Sequence, residues 1–94
     1  MIPSKIKISG YDYEVIVMEF NDKSCPAYTN FKKQKIFINE EYQMQTQEAS
    51  LLHEILEVIN YIFEFDFSHD KIQILESALY QVLKDNFKIT TKEK

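Results

Sequence analysis

Along residues 5–20, "KIKISGYDYEVIVMEF", apolar and polar positions alternate: Ile6 and Ile8 before Gly10, then Tyr13, Val15 and Val17 after it. A period of two belongs to strands that bury one face. Gly10 supplies the positive φ of a tight turn, so residues 5–9 and 12–20 are expected to pair as an antiparallel hairpin. Residues 21–27, "NDKSCPA", carry turn-forming residues and read as a loop. In "YTNFKKQKIFIN", residues 35–39 form a firm strand, residues 28–31 a weaker one, and the lysine pair marks the bend between them.

From Gln45 the period changes to that of a helix. Leu51, Leu52, Ile55, Leu56, Val58, Ile59, Ile62 and Phe63 make one broad stripe, predicting a helix over residues 46–64. Thr46 is placed to cap it and Glu48 to complement the helix dipole in the first turn. Ser68, followed by Asp70, opens a second helix through Ile72, Leu75, Leu79, Val82 and Leu83, over residues 68–86. Residues 88–94 read as a frayed tail. The expected class is α+β: a small antiparallel sheet, made of the hairpin and one or two further strands, followed by two packed helices. In a chain this short the apolar sets must share a core, so both helices are expected on one face of the sheet, turned toward Tyr13, Val15, Val17, Ile36 and Ile38. No internal repeat divides the chain, and residues 1–94 are read as a single domain.

Composition narrows the function classes. Ninety-four residues, 45% of them apolar, with seven Phe and six Tyr, can bury a core and do not look disordered. One Gly and two Pro leave little for long irregular loops. A net charge of −4 with no basic cluster argues against a nucleic-acid surface, which must neutralise phosphates. The lone Cys25 suits a reducing compartment. No export signal and no membrane-spanning run is visible, so a cytoplasmic location is expected.

The candidate chemistry lies in "LLHEILEVIN", residues 51–60, which reads His-Glu-x-x-Glu where a zinc peptidase helix has His-Glu-x-x-His. On a helical wheel His53, Glu54, Glu57, Asn60, Tyr61 and Glu64 share an arc of roughly 120°, opposite the apolar stripe. That is also the pattern of a solvated face with no function. The second helix alters the weighing. Glu76 lies between Ile72 and Leu83 on one side and Tyr80 on the other, a setting in which a carboxylate is costly unless paired. A buried ion pair, a hydrogen bond to a Tyr or the backbone, and a metal ion all meet that need. His53 and Glu57, four residues apart, project from one helix face and can grip one ion. Glu54 points partly aside, where it can hold a water, and Glu76 from the next helix completes a three-ligand set. His69 and Tyr80 are accessory candidates, although His69 sits near a helix start and suits simple exposure.

"LLHEILEVIN" followed some twenty residues later by "LESALYQVLKDN" resembles a group of small phage and prophage proteins described as zincin-like metallopeptidase domains, related in plan to the ImmA/IrrE and SprT-like minimal zincins. The resemblance covers residues 35–86. It implies that His53 is the first metal-binding histidine, Glu54 the general base and Glu76 the downstream acidic ligand. It also implies that "QKIFIN" is the edge strand along which an extended peptide or protein substrate lies, and that the setting is the cytoplasm of a bacterial host. Glu57 departs from the pattern, standing where the second histidine is usual. One neutral His with two carboxylates cancels the charge of Zn²⁺, so bound water is acidified less than at a His-rich site. An oxygen-rich set also discriminates less against Mn²⁺ or Fe²⁺. Two functions follow: a metal-dependent peptidase with Glu54 activating water, or a catalytically inactive interaction module that binds a host or phage protein. Neither needs a nucleic-acid or membrane partner.

Overall fold

A computed structural model describes residues 2–86; the tail expected at residues 88–94 lies outside them. Four strands, β1 (Lys5–Ile8), β2 (Tyr11–Met18), β3 (Ala27–Asn30) and β4 (Lys35–Asn39), precede two helices, α1 (Met44–Phe63) and α2 (His69–Asn86). This is the α+β plan read from the alternation and helix periods.

Ile8 pairs with Tyr11 across a two-residue turn in which Ser9 (φ 52°) and Gly10 (φ 88°) are both left-handed, as the strand twist of a hairpin requires. A Cβ on Gly10 would meet nothing within 4 Å, so glycine serves there for its φ and not for space. A second hairpin joins β3 to β4, with Gln34 (φ 56°) ending the turn and the Asn30 side chain accepting the Lys33 N–H at 3.1 Å.

The sheet differs from the expected all-antiparallel one in a single pairing. Its order is β1-β2-β4-β3, and β2 runs parallel to β4, with Val15 opposite Ile36 and Val17 opposite Ile38. The path of residues 19–26 is the reason. It carries the chain past β2 to the far edge, so that β3 runs back along the outside and β4 returns beside β2 in the same direction. Asn39, fully buried, holds this crossover: its backbone N–H donates to Pro26 O at 2.9 Å, its side-chain amide donates to Cys25 O at 3.1 Å, and its Oδ1 accepts the Glu41 N–H. The order also corrects the expected edge strand. "QKIFIN" lies inside the sheet as β4, and the edge on that side is β3.

Ile8, Tyr13, Val15, Ile36 and Ile38 project from one sheet face and meet Leu51 and Val58 of α1. Each such side chain removed from water contributes about 1.5–3 kcal/mol. Val17, expected in this set, is 40% exposed. Helix α1 starts two residues before the sequence reading. Gln43 is its N-cap and gives no side-chain bond; the buried Gln47 amide instead donates to the carbonyls of Tyr42 (2.8 Å) and Glu40 (3.3 Å). Thr46 is therefore inside the helix, not its cap. Ser68 does cap α2, its Oγ accepting the Lys71 N–H at 3.2 Å. Contrary to the shared-face expectation, among the described residues α2 packs on α1 and on no strand. Ile72 is buried in that seam, while Leu75, Leu79 and Val82 are exposed. No helix among the described residues is long and apolar enough to cross a membrane.

Candidate metal centre

The antiparallel pair α1/α2 sets polar side chains opposite one another in three rungs: Glu57 against His69, His53 against Glu76, and Glu48 against Tyr80. The solvated-face reading fits Tyr61 and Glu64 at the end of the arc, which are exposed, but not "HEILE", whose polar side chains meet α2 and β3. The His53 side chain is only 14% exposed and Glu54 is buried.

In the first two rungs His53 Nε2 lies 3.2 Å from Glu57 Oε2, and His69 Nδ1 lies 3.3 Å from the same oxygen. The two imidazoles meet edge to face with centroids 5.0 Å apart. One donor atom from each of His53, Glu57 and His69 lies within 4.8 Å of the others. Around an ion about 2.0 Å from each donor, tetrahedral edges are about 3.3 Å, so two of the separations fit a metal-ligand set. The same spacing suits imidazole N–H groups that share one carboxylate oxygen.

Glu76 approaches the other ring nitrogen, with His53 Nδ1 3.6 Å from Glu76 Oε1. One imidazole cannot present both nitrogens to a single ion. With Nε2 turned to Glu57, Glu76 stands behind the His53 ring, and the donor that converges with those of His53 and Glu57 among the described residues is from His69. His69 is the exposed member, its side chain 67% open to solvent.

Glu54 turns the other way, toward the sheet. Thr29 of β3 donates its hydroxyl to Glu54 Oε1 at 2.7 Å. Burial pushes the Glu54 carboxyl above the usual carboxylate range, against the opposing pull of the Thr29 bond and of the neighbouring His53. Glu54, His53, His69 and Glu76 line one cleft of ≈ 400 Å³ between Ala27 on β3 and Gln73 on α2.

Tyr80 belongs to the third rung. Its hydroxyl donates to Glu48 Oε1 at 3.1 Å, and Lys84 Nζ lies 3.8 Å from the same oxygen. Burial and the adjacent carboxylate push the phenol up to about 12. Glu48, read as a first-turn dipole partner, thus serves the helix seam. The sequence reading missed Thr29. A hydroxyl two residues from Ala27 on the helix-facing side was a usable signal only once the parity of β3 was known.

No family model matches the chain, and neither a curated protein nor a solved structure matches it.

Proposed function

We propose that this chain is a small metal-dependent hydrolase of the zincin-like peptidase kind, related to the phage and prophage proteins it resembles and acting in the cytoplasm of a bacterial host. The observation that carries the reading is the convergence of His53, Glu57 and His69 donors, two of which, His53 and His69, line one cleft with the buried Glu54. His53 and His69 supply nitrogen and Glu57 oxygen to a divalent cation. Zn²⁺, or Mn²⁺ or Fe²⁺ at so oxygen-tolerant a site, supplies Lewis-acid polarisation of a carbonyl and acidification of a bound water. Glu54 accepts the water's proton, held in place by Thr29, and Glu76 fixes the His53 ring from its Nδ1 side. The outer edge of β3, which pairs with β4 alone, offers backbone groups for an extended peptide to join as a further strand beside the cleft.

A second reading, an inactive module that binds a protein partner through this face, is favoured by one detail: Glu54 already spends an oxygen on Thr29. Metal analysis of protein purified without chelator, followed by hydrolysis assays on unfolded protein and short peptides, separates the two. The peptidase reading expects one ion per chain, lost in His53→Ala and His69→Ala, and turnover lost in Glu54→Gln with the ion retained. Bound metal without turnover selects the module. No metal at any tested concentration defeats the metal centre itself.

A further inference from the structure

Away from this cleft, three phenylalanines at the α1–α2 junction face solvent. Phe63, Phe65 and Phe67 are 52%, 52% and 39% exposed. Their rings stack in series, Phe63 on Phe65 with centroids 5.7 Å apart and Phe65 on Phe67 at 5.4 Å. The segment is held in place: the Asn60 amide donates to Phe67 O at 3.3 Å and its Oδ1 accepts the Phe67 N–H at 3.0 Å. Glu64 and Asp66, between the rings, take left-handed backbone (φ 54° and 62°). An ordered ladder of exposed aromatic rings is the kind of surface that proteins cover with a partner.

Across the stacked pair Phe31–Tyr61, with centroids 4.6 Å apart, lies a groove of ≈ 470 Å³ lined by Tyr11, Tyr13, Phe31, Tyr61 and Lys32, with Glu64 at its ladder end. Lys33 is exposed at the tip of the same β3–β4 turn. Among the described residues neither these two lysines nor Glu64 and Asp66 have an ion-pair partner.

We propose that this surface is a self-complementary interface and that its partner is a second copy of the chain. Phe65 and its neighbours on one protomer enter the Tyr11–Phe31–Tyr61 groove of the other, while Glu64 and Asp66 meet Lys32 and Lys33. A two-fold interface needs both halves of the contact on each chain. Here the acidic aromatic ridge lies beside an aromatic groove that carries Lys32, with Lys33 on the turn beyond it and Glu64 where groove and ridge meet. A lipid surface fits worse, since the two carboxylates between the rings would be carried toward anionic headgroups.

Sedimentation equilibrium of the full chain across the micromolar range, at low and high salt, reads the outcome. A dimer is expected, weakened by salt. Phe65→Ser should raise its dissociation constant roughly tenfold or more, as loss of a central aromatic anchor does. Lys32→Glu with Lys33→Glu should also weaken it, and Glu64→Lys with Asp66→Lys added to that variant should restore it. The four charged positions are exposed, so the swap tests the contact without asking the core to refold. A chain that stays monomeric at low salt overturns the proposal. So does a dimer indifferent to Phe65→Ser and to the charge swap, or a monomer that co-sediments with phosphatidylcholine or phosphatidylserine vesicles through Phe65.

Discussion

Thr29 on the edge strand donates its hydroxyl to Glu54 on α1 at 2.7 Å, the one side-chain bond described here that ties the sheet to the candidate base. Burial nevertheless keeps the Glu54 pKa above the usual range. In the native state Glu54 therefore holds its proton to higher pH than in the unfolded chain. Between the two pKa values the folded form binds more protons, so its contribution to stability is fully present below the ordinary Glu pKa and is lost as pH rises through the folded one. Glu54→Gln should remove this fall while keeping an acceptor for Thr29. Denaturant melts of both proteins across that window check it; parallel pH profiles would refute the assignment.

Thr29→Val keeps the shape and removes the donor. The expected cost is about 1–3 kcal/mol, the range for a buried polar group left unpaired. It should be larger above the folded pKa of Glu54 than below it, because the charged carboxylate loses more than the neutral one. A cost equal on both sides of that pKa would mean that Thr29 acts through packing alone.

Tyr80, with its phenol pushed up to about 12, should appear as a late step in an ultraviolet titration. A raised phenol pKa means that this contribution to stability is intact below the ordinary Tyr value and disappears as pH climbs through the folded value. Tyr80→Phe should lose the late step and cost about 1 kcal/mol at neutral pH, since Glu48 keeps Lys84 nearby.

Strand alternation and helix stripes made the element order legible, because Ile36, Ile38, Leu51 and Val58 are buried for the reason their spacing implies. The parallel β2–β4 pairing was not legible. Both an adjacent hairpin and a crossover satisfy the same alternation, and the choice rests on how residues 19–26 and Asn39 pack. The face of "HEILE" misled for a related reason: a single wheel shows which residues share a side, not which neighbour covers it. His53 and Glu57 could be paired from their spacing alone. The places of His69 and Glu76 depend on the antiparallel register of α2, which Asn60 and the Phe67 backbone help to set.

That register yields a prediction for Glu76. Standing behind His53 at 3.6 Å, it should act as a positioning residue. Glu76→Gln is expected to weaken zinc affinity about 10- to 100-fold, the usual effect of losing an outer-shell partner, whereas His69→Ala should abolish binding. Calorimetric titration with zinc compares them. Complete loss in Glu76→Gln, with binding retained in His69→Ala, would restore Glu76 as the third ligand.

Ile72 is the residue on which the site's integrity turns. Among the described residues helix α2 packs on α1 and on no strand, and of its described side chains Ile72 alone is buried, at 1% exposure. The residues that bring His69 and Glu76 to the cleft are therefore held by one deep contact, the polar rungs and the Asn60 clasp. Ile72→Ala opens a cavity in that seam, and truncations of this kind cost about 2–5 kcal/mol. The loss should be local. Val15, Ile36, Ile38 and Val58 pack without Ile72, so β2 and β4 amides should keep their protection while α2 amides exchange faster. Metal affinity should fall together with α2 protection, because His69 is released although no ligand has been changed. Hydrogen exchange resolved along the chain, with and without zinc, tests this: zinc should slow α2 exchange in the native chain and do so less in the variant. Uniform loss of protection across sheet and helices would show instead that α2 belongs to the same cooperative unit as the sheet.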